Sequence, residues 1–157
     1  MVAVHNYELA LVWTGNQGTG TSAYRAYGRS HEVTAPGRPA LLGSADPAFR
    51  GETDRWNPEL LLVAALSGCH LMSYLHVCVE AGVVVTAYSD APTGAMTQTP
   101  GGGGRFTEVV LHPRVTVARG GNVDLATRLH ADASERCFIA SSVNFPVRHE
   151  PVVVVES

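Results

Sequence analysis

Hydrophobic positions along the chain shift from an alternating period to a helical one and back. From Tyr7 to Trp13 the stretch YELALVW is apolar and aromatic with partial alternation, and TGNQGTGTS follows it as a turn, which predicts a strand and a loop. Residues 23–34 and 39–42 predict two further strands separated by Ala35, Pro36 and Gly37, so the N-terminal third reads as an antiparallel meander. The polar and charged stretch GSADPAFRGETDRW, residues 43–56, has no clear period and reads as a surface loop of the kind that often carries function.

The next segment, NPELLLVAALSGCHLMSYLHVCVEAG, predicts a long helix: Asn57 as N-cap, Pro58 at the first helical position, Glu59 in the first turn and Gly82 as the stop. It is apolar nearly all round as far as Val79, which predicts a central, buried helix. Residues 83–96 and 105–117 predict two strands joined through TQTPGGGG, whose glycines permit positive φ and whose Pro100 stops pairing. Asn122 caps a predicted helix over 123–135, residues 137–143 suggest a shorter helix before Pro146, and PVVVVE at 151–156 predicts a last, buried strand. No internal repeat is visible, and the four-glycine turn lacks the Gly-Lys-Ser/Thr of a phosphate loop.

A chain of 157 residues suits one domain, residues 1–157, with one core. Eleven basic against fourteen acidic residues, without a basic cluster, exclude the electrostatic footprint of a nucleic-acid binder. The first residues lack a basic n-region and a cleavage signal, and the longest apolar run, residues 60–66, is far shorter than the roughly 20 residues of a membrane span, so a cytoplasmic protein without a membrane segment is expected. Three cysteines in a reducing compartment leave one unpaired, so they are not a disulfide framework. Redox, nucleophilic or metal chemistry remains for them.

On the predicted helix Ala65, Leu66, Met72, Ser73 and His76 share the face of Cys69, whereas Cys78 points the opposite way and reads as structural. Glu59 lies ten residues before Cys69, about 15 Å along one helix at about 1.5 Å per residue, so the two cannot touch within it. If the carboxylate serves the thiol, it acts through an intervening cation or reaches the thiol of a second subunit, which predicts a homodimer with the site at its interface. Arg50 and Arg55 precede the helix; a guanidinium holding Glu59 while facing the sulfur would favour the thiolate that burial alone disfavours. Cys137 opens the short segment before Pro146, where a helix N-terminus would favour its thiolate and suit a resolving cysteine. Cys69, His70, His76, His130 and Cys137 could supply a zinc site, but C-x-x-C spacing and an i, i+4 histidine pair are absent, so the histidines read as satisfied core or interface residues and no metal and no cofactor are expected.

These residues resemble the OsmC/Ohr organic hydroperoxide reductases. The resemblance lies in Asn57-Pro58-Glu59-Leu60-Leu61, in Ala64-Ala65-Leu66-Ser67-Gly68-Cys69 and in Glu135-Arg136-Cys137-Phe138-Ile139-Ala140, and the order of elements fits over nearly the whole chain. The chain departs from the commonest family pattern at His70, where an aromatic residue is frequent, and in its long loop at 43–56. The resemblance implies an α+β, two-layer fold with an antiparallel sheet and a long central helix, assembled as an intertwined homodimer. It implies that Cys69 is the peroxidatic cysteine, forming a sulfenic acid that Cys137 resolves as a disulfide, with Glu59 the active-site glutamate and Arg50 better placed than Arg55 as the arginine. The implied partners are an organic hydroperoxide and an external thiol reductant. A non-catalytic stress-related dimer or a thiol/histidine zinc-binding protein is the alternative class.

Overall fold

The computed structural model describes all 157 residues, in two compact units, Met1–Leu61 and Leu62–Ser157. The first holds the meander: β1 (Ala10–Trp13), β2 (His31–Thr34) and β3 (Leu41–Gly43) pair antiparallel in that order. The second predicted strand is shorter than expected, its first half keeping only an isolated bridge between Asn16 and Tyr27. Glu52 ties the charged loop both to itself and to Ser30 ahead of β2. Ser30 donates to Glu52 at 2.9 Å, buried Ser44 donates to the other oxygen of the same carboxylate, and a single 3-10 turn forms at Pro47–Phe49.

Helix α1 (Pro58–Glu80) begins and ends where the capping residues dictate. Asn57 Oδ1 accepts from the Leu60 amide at 2.8 Å, and Gly82, at φ 71°, stops the helix while the Val83 amide donates back to the Cys78 carbonyl at 2.8 Å. The boundary between the units falls just after its first turn. In the second unit β4 (Val85–Ser89), β5 (Thr93–Gln98), β6 (Gly104–Leu111) and β7 (Arg114–Val117) form a broken hairpin, β5 on β6 and β4 on β7. The two strands expected here are thus four. Pro92 and Pro113 lack the N–H a continuous ladder needs and break both arms at matching places.

Helix α2 (Val123–Glu135) starts at Asn122, whose Oδ1 accepts from the Leu125 amide at 2.9 Å. It is the crossover that lets β9 (Val152–Val155) pair parallel with β7, and a short β8 (Val147–His149), which the pattern did not reveal, pairs parallel with β6. The sheets are therefore mixed rather than wholly antiparallel. The architecture is α+β, as expected.

The main core joins α1, α2 and the β4–β7 arm through Tyr74, Val77, Cys78, Val83, Val115, Val117, Ala126, Leu129 and Ala133; a smaller one joins Leu66 to Val109 and Leu111. Only one stripe of α1 is buried, Leu66, His70, Tyr74, Val77 and Cys78, which recur at helical spacing. Met72, Leu75 and Val79 on the remaining surface stay exposed, so the all-round apolar character does not mean all-round burial in a single chain. The final strand is likewise less buried than expected, because β9 is the edge of its sheet and turns Val152 and Val154 outward. By length and by a mean hydropathy of 1.6 in its most apolar stretch, α1 is also long and apolar enough to cross a membrane, contrary to the reading from uninterrupted runs. Ser67, Gly68, His70 and Ser73 interrupt the run without adding charge; the core helix of a globular protein meets the same criterion.

Removing the cap of α2 tests the local account. Asn122→Ala is expected to lower unfolding free energy by about 1 kcal/mol with an unchanged denaturant slope, measured by urea titration.

Candidate functional site

Cys69 lies midway along α1, half-buried, and all three cysteines are free thiols. The helical period places Met72, Ser73 and His76 on its face, and these four side chains, with Arg136 and Phe138 from the segment after α2, line a pocket of about 500 Å³. The walls are mostly apolar. Cys137 sits behind them, only 1% exposed, with the Cys69 thiol close enough to raise its pKa. Sequence spacing alone does not bring these residues together; the crossover through α2 does.

The expected short helix at Cys137 is instead a turn leading into a 3-10 turn at Ala140–Ser142. Even so, the Ala140 amide donates to Cys137 Sγ at 3.4 Å, the contact that a helix N-terminus would have offered. Burial wins over it. Desolvation first, and the facing Cys69 thiol second, push the Cys137 thiol well above the ordinary range, against the lowering effect of the Ala140 and Ile139 amides. A protonated thiol held behind an accessible one is thus the resting arrangement. Cys78, as expected, is buried in the main core, and burial raises its pKa as well.

Glu59, Arg50 and Arg55 belong to the first unit. Glu59 is in the first turn of α1, with its Oε2 buried and without a hydrogen-bond partner. Arg50 is exposed and closes the Pro47–Phe49 turn at φ 67°, a left-handed conformation uncommon for a residue with a Cβ. Arg55 is half-buried, and its Nη1 is buried without a partner.

At the pocket rim Glu80 accepts from Arg136 at 2.6 Å and lies 3.2 Å from His76 Nε2, joining the end of α1 to the residue before Cys137. The Arg136 hydrogen bond is the main cause holding the Glu80 carboxyl below its ordinary range. Arg136 and Phe138 entered the sequence analysis only as parts of the motif around Cys137, without a role of their own, and Glu80 was not singled out. Adjacency to Cys137 is the signal that would have flagged the first two.

His70 turns away from the pocket, as its helical position requires, and is with His130 a core histidine, as expected, within an aromatic stack that local spacing does not reveal. His70 Nε2 and His130 Nδ1 share a hydrogen bond of 2.9 Å, the His130 ring lies 3.8 Å from that of Tyr74, and His149 on β8 stacks on His70 at 5.6 Å. Tyr74 donates to the Ala126 carbonyl at 2.9 Å, and His130 Nε2 is buried without a partner. Desolvation lowers His70 to about 4, helped by His149 and opposed by Asp90, and lowers His130 to about 3, helped by His70 and His149. No group of three or more His, Cys, Asp or Glu side chains stands in metal-holding geometry, and the five residues considered for zinc divide between the thiol pocket and this stack.

The site is thus a half-buried thiol on a helix buried along one stripe, facing a second, buried thiol beside an apolar pocket, within an α+β fold. The family model described as OsmC-like protein matches residues 51–151, and the chain belongs to that family. An OsmC-like protein of unknown function from Vibrio cholerae is similar at 26% identity and TM-score 0.85, over 95% of this chain and 100% of its own. An organic hydroperoxide resistance protein from Legionella pneumophila shares the fold at 22% identity and TM-score 0.69, covering 98% and 100%. The organic hydroperoxide resistance protein OhrB of Bacillus subtilis does so at 20% and 0.64, covering 93% and 98%. No curated protein sequence matches the chain.

The histidine stack sets an acid limit. Its folded pKa values lie below the 6.5 of an exposed imidazole, so as pH falls the unfolded chain takes up protons first; the stability is present above about 6.5 and is lost towards about 4. The urea midpoint is expected to fall between about pH 7 and about pH 5, and to fall less in His130→Gln. A midpoint flat across that interval in the unmodified protein would contradict neutral burial.

Proposed function

We propose that the protein is a thiol-dependent peroxidase that reduces organic hydroperoxides to alcohols. The observation that carries this reading is the asymmetry of the facing thiols: Cys69 opens onto an apolar pocket, while Cys137 is buried behind it. The Cys69 thiolate attacks the distal peroxide oxygen, the O–O bond breaks, and the alkoxide leaves as the alcohol after taking a proton. Cys69 is then a sulfenic acid. Cys137 gives up its proton and attacks that sulfur, water leaves, and a disulfide forms. An external thiol reductant returns both cysteines to thiols. The apolar walls favour an organic peroxide over hydrogen peroxide, because binding then buries apolar surface on both sides.

Glu59 and Arg50 complete the site in this reading, with a second copy of the chain bringing them to Cys69, since ten residues of one helix keep Glu59 about 15 Å away. A homodimer also agrees with the exposed Met72, Leu75 and Val79 of α1. A cytoplasmic location suits reversible dithiol chemistry, which requires a reducing compartment.

Intact mass measurement after one equivalent of cumene hydroperoxide, with peptide mapping, is expected to show loss of the two thiol hydrogens and a bond between Cys69 and Cys137. Cys69→Ser should abolish peroxide consumption; Cys137→Ser should stop at a sulfenic acid trappable by dimedone. An unreacted protein, or a bond through Cys78, would sink the proposal. Arg50→Ala is expected to slow Cys69 oxidation at neutral pH by roughly tenfold, the effect of one pKa unit, with recovery as pH rises. The same loss appearing in Arg55→Ala instead would move the role to that residue.

A further inference from the structure

Two sulfur atoms belong to the pocket lining, and the mechanism uses one of them. Met72 stands one helical turn after Cys69 and forms the apolar wall of the pocket together with Phe138. We propose that Met72 is a modification site: an organic hydroperoxide held in the pocket oxidises its thioether to the sulfoxide. The inference rests on the reading that this pocket receives hydroperoxide, but not on Cys69 being the nucleophile.

The step balances without a further reactant. A lone pair of the Met72 sulfur attacks the distal peroxide oxygen, the O–O bond breaks, and the leaving alkoxide takes the hydroperoxide's own proton to become the alcohol. Sulfur is oxidised, the peroxide is reduced, and the oxygen stays on sulfur. A thioether is a weaker nucleophile than a thiolate, so Cys69 reacts first while it is reduced. Once Cys69 is oxidised and reductant is short, Met72 is the remaining sulfur in contact with the same ligand. Its sulfoxide replaces a flexible apolar side chain by a polar one, and a pocket that holds its ligand by apolar contact then binds it less well. Methionine sulfoxide reductase would restore it.

The chain carries its own controls. It has three methionines: Met1 is 125% exposed, Met72 64% and Met96 42%. In the single chain simple accessibility orders them Met1, Met72, Met96, and a second copy covering α1 would only lower the rank of Met72, whereas capture of an apolar peroxide in the pocket puts Met72 first. The test uses Cys69→Ser, and in parallel the unmodified protein already oxidised with diamide, so that a folding defect in the variant does not decide the outcome. Each is treated with cumene hydroperoxide or with hydrogen peroxide to low conversion and mapped for oxygen addition at each methionine. The expected result is that the ratio of Met72 to Met1 oxidation exceeds one with cumene hydroperoxide and falls below one with hydrogen peroxide. Excess 2-phenyl-2-propanol, the product alcohol, should protect Met72 and leave Met1 unaffected. Oxidation in the order of exposure with both oxidants, or equal protection of all three residues, overturns the proposal. If a Cys69–Cys137 disulfide forms in the untreated protein on adding peroxide while Met72 follows exposure, this inference fails and the peroxidase reading stands. Selective Met72 oxidation without that disulfide means the reverse.

Discussion

The rotational setting of α1 is the constraint on which the rest depends. Leu66, His70, Tyr74, Val77 and Cys78 must lie against the strands and α2 to exclude water, and the helical period then leaves no freedom in where Cys69, Met72, Ser73 and His76 point. Several contacts fix the setting. Tyr74 donates to Ala126 on α2, Ser67 donates to Asp90 at 2.5 Å, and Asp90 in turn accepts from the His112 amide at 2.7 Å, tying α1 to both breaks in the long hairpin. A helix rotated by one residue would bury the thiol and expose a histidine.

The same arrangement separates two polar environments on adjoining faces. One face carries His70 into a dry stack with His130 and His149, where desolvation outweighs the opposing Asp90 carboxylate and the imidazoles stay neutral. The other carries Cys69 to a pocket whose rim holds the Arg136–Glu80 ion pair, with His76 beside it, in or near solvent. Exposed ion pairs of this kind contribute little to stability, so their consequence is positional: they hold the segment just before Cys137 against the end of α1. Burial that keeps Cys137 protonated also keeps it from solvent.

Much of the fold was legible because it rests on local rules. Asn57, Gly82 and Asn122 marked helix ends that the structure keeps, and the glycine run marked the β5–β6 turn. The misreadings share a cause. Pro92 and Pro113 divided strands that hydrophobicity alone ran together, β8 is too short to show a period, and β9 looked buried because its composition does not record that it lies at a sheet edge. The helix was apolar all round, yet composition could not tell which part the chain itself covers.

For the candidate site the division falls along sequence distance. Local sequence determined that Cys69, Met72, Ser73 and His76 share a face and that Cys78 does not, because helix geometry converts spacing directly into direction. It also carried the family resemblance through the residues around Cys69 and Cys137, which the match over residues 51–151 bears out. The meeting of Cys69 with Cys137, the closing of the pocket by Phe138 and Arg136, and the stacking of His70 with His130 and His149 were decided only by tertiary structure. Each joins residues far apart in the chain through α2 and the parallel pairings of β8 and β9, and such pairings arise from packing between elements rather than from any local pattern.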